Sequence, residues 1–258
     1  METVESADGT TIAFERSGTG PSLILVGGAL NDRTTAAAQA SVLAPDFTVF
    51  AYDRRGRGDS GDTAPYAVGR EIEDLAALIA AAGGSAFVYG HSSGGNLALE
   101  AAAAGVPIEK LAVYEPPYFI DDTRPPVGPD MSDRLRALVA AGERGEALKA
   151  FLIECVMAQP EVVEGMQATP MWPALEALAH TLPYDTDIFG AGELPAERLR
   201  AIEAPTLVMD GGASPDWARN AAAALAGVLP NVRHVTLEGQ THAVDPALVA
   251  PLLADFFA

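Results

Sequence analysis

Short apolar runs recur along the chain, each followed by small or charged residues. Leu23-Ile24-Leu25-Val26, Val49-Phe50-Ala51-Tyr52, Ala86-Phe87-Val88-Tyr89, Leu111-Ala112-Val113-Tyr114 and Thr206-Leu207-Val208-Met209 are apolar nearly throughout. Strands covered on both faces read this way. Thr10 to Glu15 alternates instead, which predicts a half-exposed edge strand, and Val232 to Leu237 supplies a last strand. Between the runs the period changes to that of a helix. Val68, Ile72, Leu75 and Ile79 mark one face of a helix over Val68 to Ala82. Asn96 to Ala104 is strong helix former up to Gly105, and Asp245-Pro246 opens a final helix with Leu248, Leu252, Leu253 and Phe256 facing inward. Strands alternating with helices imply right-handed crossovers and a doubly wound, mostly parallel sheet, an α/β fold.

The alternation stops between Pro117 and about Arg200. Leu135, Leu138 and Val139, then Phe151, Leu152, Cys155 and Val156, then Trp172, Leu175 and Leu178 fall at helical spacing. Pro160, Pro170, Pro173, Pro183 and Gly190 divide this stretch into short helices. The expected organisation is a core from residues 1–117 and 200–258, with a helical cap from 118–199 lying over the sheet ends. Ser214-Pro215-Asp216 predicts a further helix start, with Ser214 as N-cap.

Composition narrows the class. The chain has 258 residues, 49% of them hydrophobic, which suits one substantial globular core. Its formal net charge of -19 argues against nucleic acid and anionic membrane surfaces, which select a basic face. A single cysteine, Cys155, leaves no internal disulfide or cysteine-based zinc cluster. No apolar run has the length of a membrane span, and the acidic start, Met1 to Glu5, lacks a signal peptide's basic region and apolar core, so a cytoplasmic location is expected. No H-E-x-x-H spacing, dinucleotide fingerprint or P-loop occurs, so the chemistry is expected to need neither metal nor cofactor. The charged stretch Asp53 to Gly61 is expected to be a surface loop folded on its own Asp–Arg pairs.

The sharpest chemical signal is Gly90-His91-Ser92-Ser93-Gly94, a G-x-S-x-G motif with a strand before it and a helix after it. Such a turn strains the serine backbone and lifts its hydroxyl above the sheet. A serine hydroxyl needs a base within hydrogen-bond reach. His242, in a loop after the last strand, is the candidate. His91 is expected to support the turn, His234 to be structural within its strand, and His180 to lie in the cap. The N–H of Ser93, just after the nucleophile, is one expected oxyanion donor.

These features together resemble the α/β-hydrolase fold superfamily in its capped form, which has an eight-stranded sheet and helices inserted between strands six and seven. The resemblance rests on Gly90 to Gly94, the small turn Gly27-Gly28-Ala29, the Asp53 to Ser60 loop, and Gly239-Gln240-Thr241-His242 before the last helix. It implies a second oxyanion donor at the N–H of Ala29. Two positions depart from the pattern: Gly27 stands where members often have histidine, and Ser214 where many carry the triad acid. The acid is therefore sought among Glu115, Asp210 and Asp216, with Glu115 first. Glu115 ends the sixth strand, where relatives of the haloalkane dehalogenase type place theirs.

The activity expected from the sequence is that of a cofactor-free serine hydrolase acting on esters or related acyl compounds. Ser92, His242 and Glu115 are the expected triad, and the substrate is expected to be a small apolar ester or lactone. Met131, Met157, Met166, Met171, Phe151 and Trp172 of the cap are expected either to line an apolar pocket or to form the cap's own core. Lactonase, perhydrolase or haloperoxidase-like and cyclase activities run on the same scaffold, and a non-catalytic binding relative is the rival outside enzymes.

Overall fold

The computed structural model describes residues Met1–Ala258. Eight strands form one sheet: β1 (Glu2–Glu5), β2 (Thr11–Ser17), β3 (Ser22–Val26), β4 (Thr48–Tyr52), β5 (Ala86–His91), β6 (Ile108–Tyr114), β7 (Thr206–Gly211) and β8 (Val232–Leu237). Their order is β1-β2-β4-β3-β5-β6-β7-β8. β1 and β2 pair antiparallel, β2 joins β4 antiparallel, and every later pairing is parallel. The helices of the sheet layers are α1 (Ala37–Leu43), α2 (Val68–Ala81) and α3 (Ser93–Ala103). Between β6 and β7 come α4 (Met131–Ala140), α5 (Arg144–Ala150), a π turn (Phe151–Cys155), α6 (Pro160–Gln167), α7 (Trp172–Leu178), a 3-10 turn (Ala179–Thr181), α8 (Leu182–Phe189) and α9 (Ala196–Leu199). α10 (Asp216–Val228) and α11 (Pro246–Phe257) complete the chain.

The continuous apolar strands are buried on both faces because successive side chains point to opposite sides of a sheet. Ile24, Val26, Val88, Leu111, Val113 and Val208 pack on one face against Leu75 and Leu78 of α2, Leu97 of α3 and Leu225 of α10. The alternate residues Leu23, Leu25, Phe87, Ala112, Leu207 and Met209 pack on the other against Leu43 of α1 and Val249, Leu253 and Phe257 of α11. The helices between β6 and β7 bury a cluster of their own, centred on Met131, Leu135, Leu148, Phe151, Trp172 and Leu182. Ala29 and Leu30, from the turn after β3, pack against that cluster, so the inserted helices sit beside the strand ends.

Several sequence-based expectations need correction. β2 is not an edge strand: β1, which the apolar pattern does not mark, pairs along it, and Ile12, Ala13 and Phe14 are buried consecutively. In the final helix Leu253 is buried and Leu252 and Phe256 pack on the core as expected, but Leu248 is 49% exposed and Val249 and Phe257 are buried instead. α10 starts at Asp216 with Pro215 in the N-cap position, and Ser214 lies one residue earlier, buried. Asp53, Arg54, Arg55 and Arg57 are also buried rather than on the surface. The three arginines take carboxylate partners from distant elements, Asp8, Glu71, Asp74 and Asp185, and Asp53 pairs with Arg33. Buried arginines persist only when paired and hydrogen-bonded, and an acidic chain supplies many acids to pair with.

Candidate active site

β5 runs into α3 through Ser92, whose backbone has φ 56 and ψ -131. A positive φ at a non-glycine residue is costly, and here neighbouring contacts hold it. The Ser92 N–H donates to the Tyr114 carbonyl at 2.9 Å, and the Gly95 N–H to the Ser92 carbonyl at 2.7 Å. The flanking glycines are dictated by crowding. A Cβ on Gly90 would lie 2.6 Å from the Gly94 carbonyl oxygen, and one on Gly94 would run into the Val26 and Gly27 carbonyls. Leu30 and Glu115 also have positive φ, 59 and 45, so three of the four strained non-glycine residues gather at the ends of β3, β5 and β6.

Glu115 follows β6 and is 1% exposed. Its Oε1 accepts the Gly211 N–H at 2.8 Å, and its Oε2 lies 2.7 Å from Nδ1 of His242. Burial opposes ionisation of this carboxyl most strongly. The hydrogen bonds from His242 and the Gly211 N–H, with the Ser214 hydroxyl beside it, outweigh burial and hold it below the usual carboxylate range. The Ser214 hydroxyl itself has no partner of normal hydrogen-bond geometry. The ionised Glu115 accepts, so the neutral tautomer of His242 that fits this contact has its proton on Nδ1 and Nε2 as an acceptor.

The loop that carries His242 is pinned from below. Nε2 of His91 donates to the His242 carbonyl at 2.9 Å, and the Tyr114 hydroxyl donates to the Thr241 carbonyl at 2.7 Å. The His91 and His242 rings are 4.8 Å apart. Burial, with the His242 charge second, pushes the His91 pKa down to about 4, so His91 stays neutral as a donor.

The N–H of Ser93 opens α3 and so has no intrahelical partner. The Ala29 N–H, in the turn after β3, donates to no protein acceptor. The carbonyls around Ala29 are turned away by buried arginines. Arg57 Nη1 donates to the Gly28 carbonyl at 2.6 Å, and Arg54 Nη1 to the Gly27 carbonyl at 3.2 Å.

A cavity of about 320 Å³ contains these groups. Ser92, Ser93, His242, Glu115 and Ala29 form its polar end, and Phe119, Phe151, Leu152, Cys155, Phe189 and Trp217 its apolar wall. No hydrogen bond joins Ser92 Oγ to His242, and such contacts tighten when substrate is bound. His242 also borders a second cavity of about 360 Å³, which Ser92 does not line. Burial raises the Cys155 thiol to about 12, so it is an apolar wall element and not a nucleophile. Behind the wall, Arg124 is sandwiched between the Phe119 ring at 3.8 Å and the Trp217 ring at 4.7 Å.

The structure thus brings Ser92, Ser93, His242, Glu115 and Ala29 to one cavity. Asp210 is buried but faces β8, where it meets His234 Nε2 at 2.6 Å and the Thr236 hydroxyl at 3.1 Å. Asp216 is exposed and pairs with Arg219, its neighbour along the helix. His180 bridges the Gly56 and Ala177 carbonyls. Of the six large residues expected in the pocket or in the core of the inserted helices, Phe151 lines the pocket. Met131 and Trp172 are interior to the inserted helices, and Met171 is 60% exposed. The apolar wall comes instead from Phe119, Leu152, Phe189 and Trp217. Sequence reasoning missed Asp185 and Arg57. One signal was present: Asp185 sits on the apolar face of α8 marked by Leu182, Thr186 and Phe189.

Residues 11–252 match the model of the Alpha/beta hydrolase family, and the chain belongs to that family. It is a hydrolase-family protein on fold and sequence together. An alpha/beta hydrolase from Sphaerobacter thermophilus is 60% identical over the full length of both chains, with a TM-score of 0.95. N-formylmaleamate deformylase of Pseudomonas putida is 33% identical over 153 residues, 57% of each chain, so the chain spans just over half the length of that curated relative. A thermophilic esterase from Thermogutta terrifontis shares the fold with a TM-score of 0.76 at 22% identity, covering 99% of this chain and 97% of its own.

Proposed function

We propose that this chain is a serine hydrolase that cleaves esters or related acyl compounds through an acyl-enzyme on Ser92. The single observation that carries the reading is the 2.7 Å contact of His242 Nδ1 with the buried Glu115 carboxylate, in the cavity that Ser92 lines. Ser92 Oγ attacks the substrate carbonyl carbon while His242 Nε2 takes its proton. The carbonyl oxygen becomes an oxyanion held by the N–H groups of Ala29 and Ser93. His242 then gives the proton to the leaving alcohol as the C–O bond breaks. Water, deprotonated by the same Nε2, attacks the acyl carbon and releases Ser92 and the acid. Glu115 orients the ring and steadies the imidazolium. Residues 118–199 act as a cap, whose Phe151, Leu152 and Phe189 make the pocket apolar. No helix is long and apolar enough to cross a membrane. Stopped-flow turnover of p-nitrophenyl acetate, butyrate and octanoate tests the reading. A nitrophenol burst stoichiometric with protein supports it, and absence of both burst and turnover across the series contradicts it.

A second reading concerns charge. Arg124 is 3% exposed and has no carboxylate partner, and its Nη1 has no hydrogen-bond partner. Its pKa, lowered to about 10 by burial, keeps it charged at neutral pH. Every other buried arginine is paired with acids. Carbonyls of Pro125, Glu154 and Cys155 and the Phe119 and Trp217 rings hold Arg124 just outside the cavity, where no acid neutralises its charge, and its field favours substrates that carry a carboxylate. The similarity to N-formylmaleamate deformylase adds amide-type acyl bonds to the candidates. Comparing a neutral p-nitrophenyl ester with the half-ester of a dicarboxylic acid separates the cases. Arg124→Met should lower kcat/KM for the half-ester selectively; equal loss on both would assign Arg124 to packing alone.

A further inference from the structure

We propose that Asp185, on inserted helix α8, is a positioning residue that sets both N–H donors of the oxyanion hole, so that the hole is assembled jointly by the sheet and the inserted helices. The inference rests on the acyl-enzyme reading above. Asp185 is fully buried. Its Oδ1 accepts the Ser93 hydroxyl at 2.7 Å and Arg54 Nη1 at 2.8 Å, and its Oδ2 accepts Arg57 Nη2 at 2.8 Å. One carboxylate therefore reaches both donor segments. It touches Ser93 directly, and through Arg57 it reaches the turn that bears Ala29.

The link through Arg57 fixes an orientation as well as a place. Arg57 Nη1 draws the Gly28 carbonyl toward it at 2.6 Å and lies 3.4 Å from the Asn31 carbonyl, on either side of Ala29. In a planar trans peptide the carbonyl and the next N–H point in opposite directions. Holding the Gly28 carbonyl on Arg57 therefore turns the Ala29 N–H the other way. At the other donor, the Ser93 side chain is held by Asp185 while its N–H points off the start of α3. The residue after the nucleophile needs only its backbone for this chemistry, yet here its hydroxyl is spent on a buried cap-side carboxylate.

Charge and packing make the clamp rigid. Arg54 and Arg57 meet Glu71 and Asp185, two cations against two acids in a dry interior. Burial opposes ionisation of Asp185, and the adjacent Arg57 and Arg54 charges overcome it and hold the carboxyl below its usual range. α8 is docked by the stack of Tyr184 on Tyr66 at 3.8 Å, and the Tyr66 hydroxyl donates to Glu71 at 2.9 Å. A preorganised donor is effective because it does not move as charge develops, and losing one costs about 10²–10³ in rate.

The test uses the full-length protein, with Asp185→Asn, Ser93→Ala and Arg57→Lys. Active sites are first titrated with a fluorophosphonate, so that rates are expressed per competent site. The expected result is a kcat per titrated site lowered about tenfold to a hundredfold in each variant, with KM changed less than about threefold. Affinity for a trifluoromethyl ketone, whose serine adduct carries an oxyanion, should fall in step with kcat/KM. Ser93→Ala keeps the backbone N–H and disturbs the fold least, so it decides the matter if Asp185→Asn does not fold. Ser93→Ala turning over at the parental rate per titrated site overturns the proposal, as does a loss carried by KM or by the titratable fraction alone. A parent protein that titrates no serine would instead overturn the acyl-enzyme reading itself.

Discussion

Nδ1 of His242 and Oε2 of Glu115 are 2.7 Å apart, although 127 positions separate them in the chain. The contact joins the loop after β8 to the end of β6, and it leaves Asp210 of β7 and Asp216 of α10 elsewhere. Glu115→Gln should therefore lower kcat by up to about 10⁴, as removal of a triad acid does. Asp210→Asn and Asp216→Asn should stay within roughly tenfold of the parent. Steady-state turnover of the three variants, each checked by circular dichroism, reads the difference. A dead Asp210→Asn beside a normal Glu115→Gln would move the acid to β7.

The Ser92 turn and the strand and helix on either side of it were legible because the signals are local. Gly90 to Gly94 lies between an apolar run and a helix-forming run, and no distant residue is needed to read it. Glu115 was singled out by its place at a strand end together with the family resemblance. Its partner His242, the His91 donor to the His242 carbonyl and the Asp185 clamp join residues far apart in sequence. No periodicity encodes such pairings. The Asp53 to Gly61 loop was misjudged for the same reason. Its charges suggest a surface, but the neutralising acids arrive from other elements. The pocket wall among the inserted helices stayed open between lining and core, because apolar spacing marks a buried face without saying whether a cavity or another helix lies against it.

His91 should make the fold acid-sensitive. Its pKa falls from the ordinary 6.5 to about 4 on folding, so between these values the unfolded chain binds more protons than the folded one. Stability should be fully present above about pH 6.5 and should decline as pH falls toward about 4, by at most about 3 kcal/mol and less where water reaches the ring. Urea midpoints across this range should flatten in His91→Gln. An unchanged slope would place the acid sensitivity in other groups.

Gly94 should not tolerate a side chain. A Cβ there meets the Val26 and Gly27 carbonyls, backbone atoms at the end of β3 that cannot yield as a flexible side chain would. Gly94→Ala should cost about 1–3 kcal/mol by overpacking and should displace the start of α3. Thermal melting and serine labelling would report both effects. Gly105→Ala meets nothing within 4 Å, and it should melt lower only through the strain at its φ of 82 while keeping its labelling rate.

The account stands on Ser92 as the atom that is acylated. Incubation with a serine-directed sulfonyl fluoride, followed by intact-mass and peptide mapping, measures this directly. One adduct per chain is expected, on the peptide that contains Ser92. Its formation should track loss of activity and be abolished in Ser92→Ala. An active protein that takes up no adduct, or one whose inactivating adduct maps to another residue, would contradict the account.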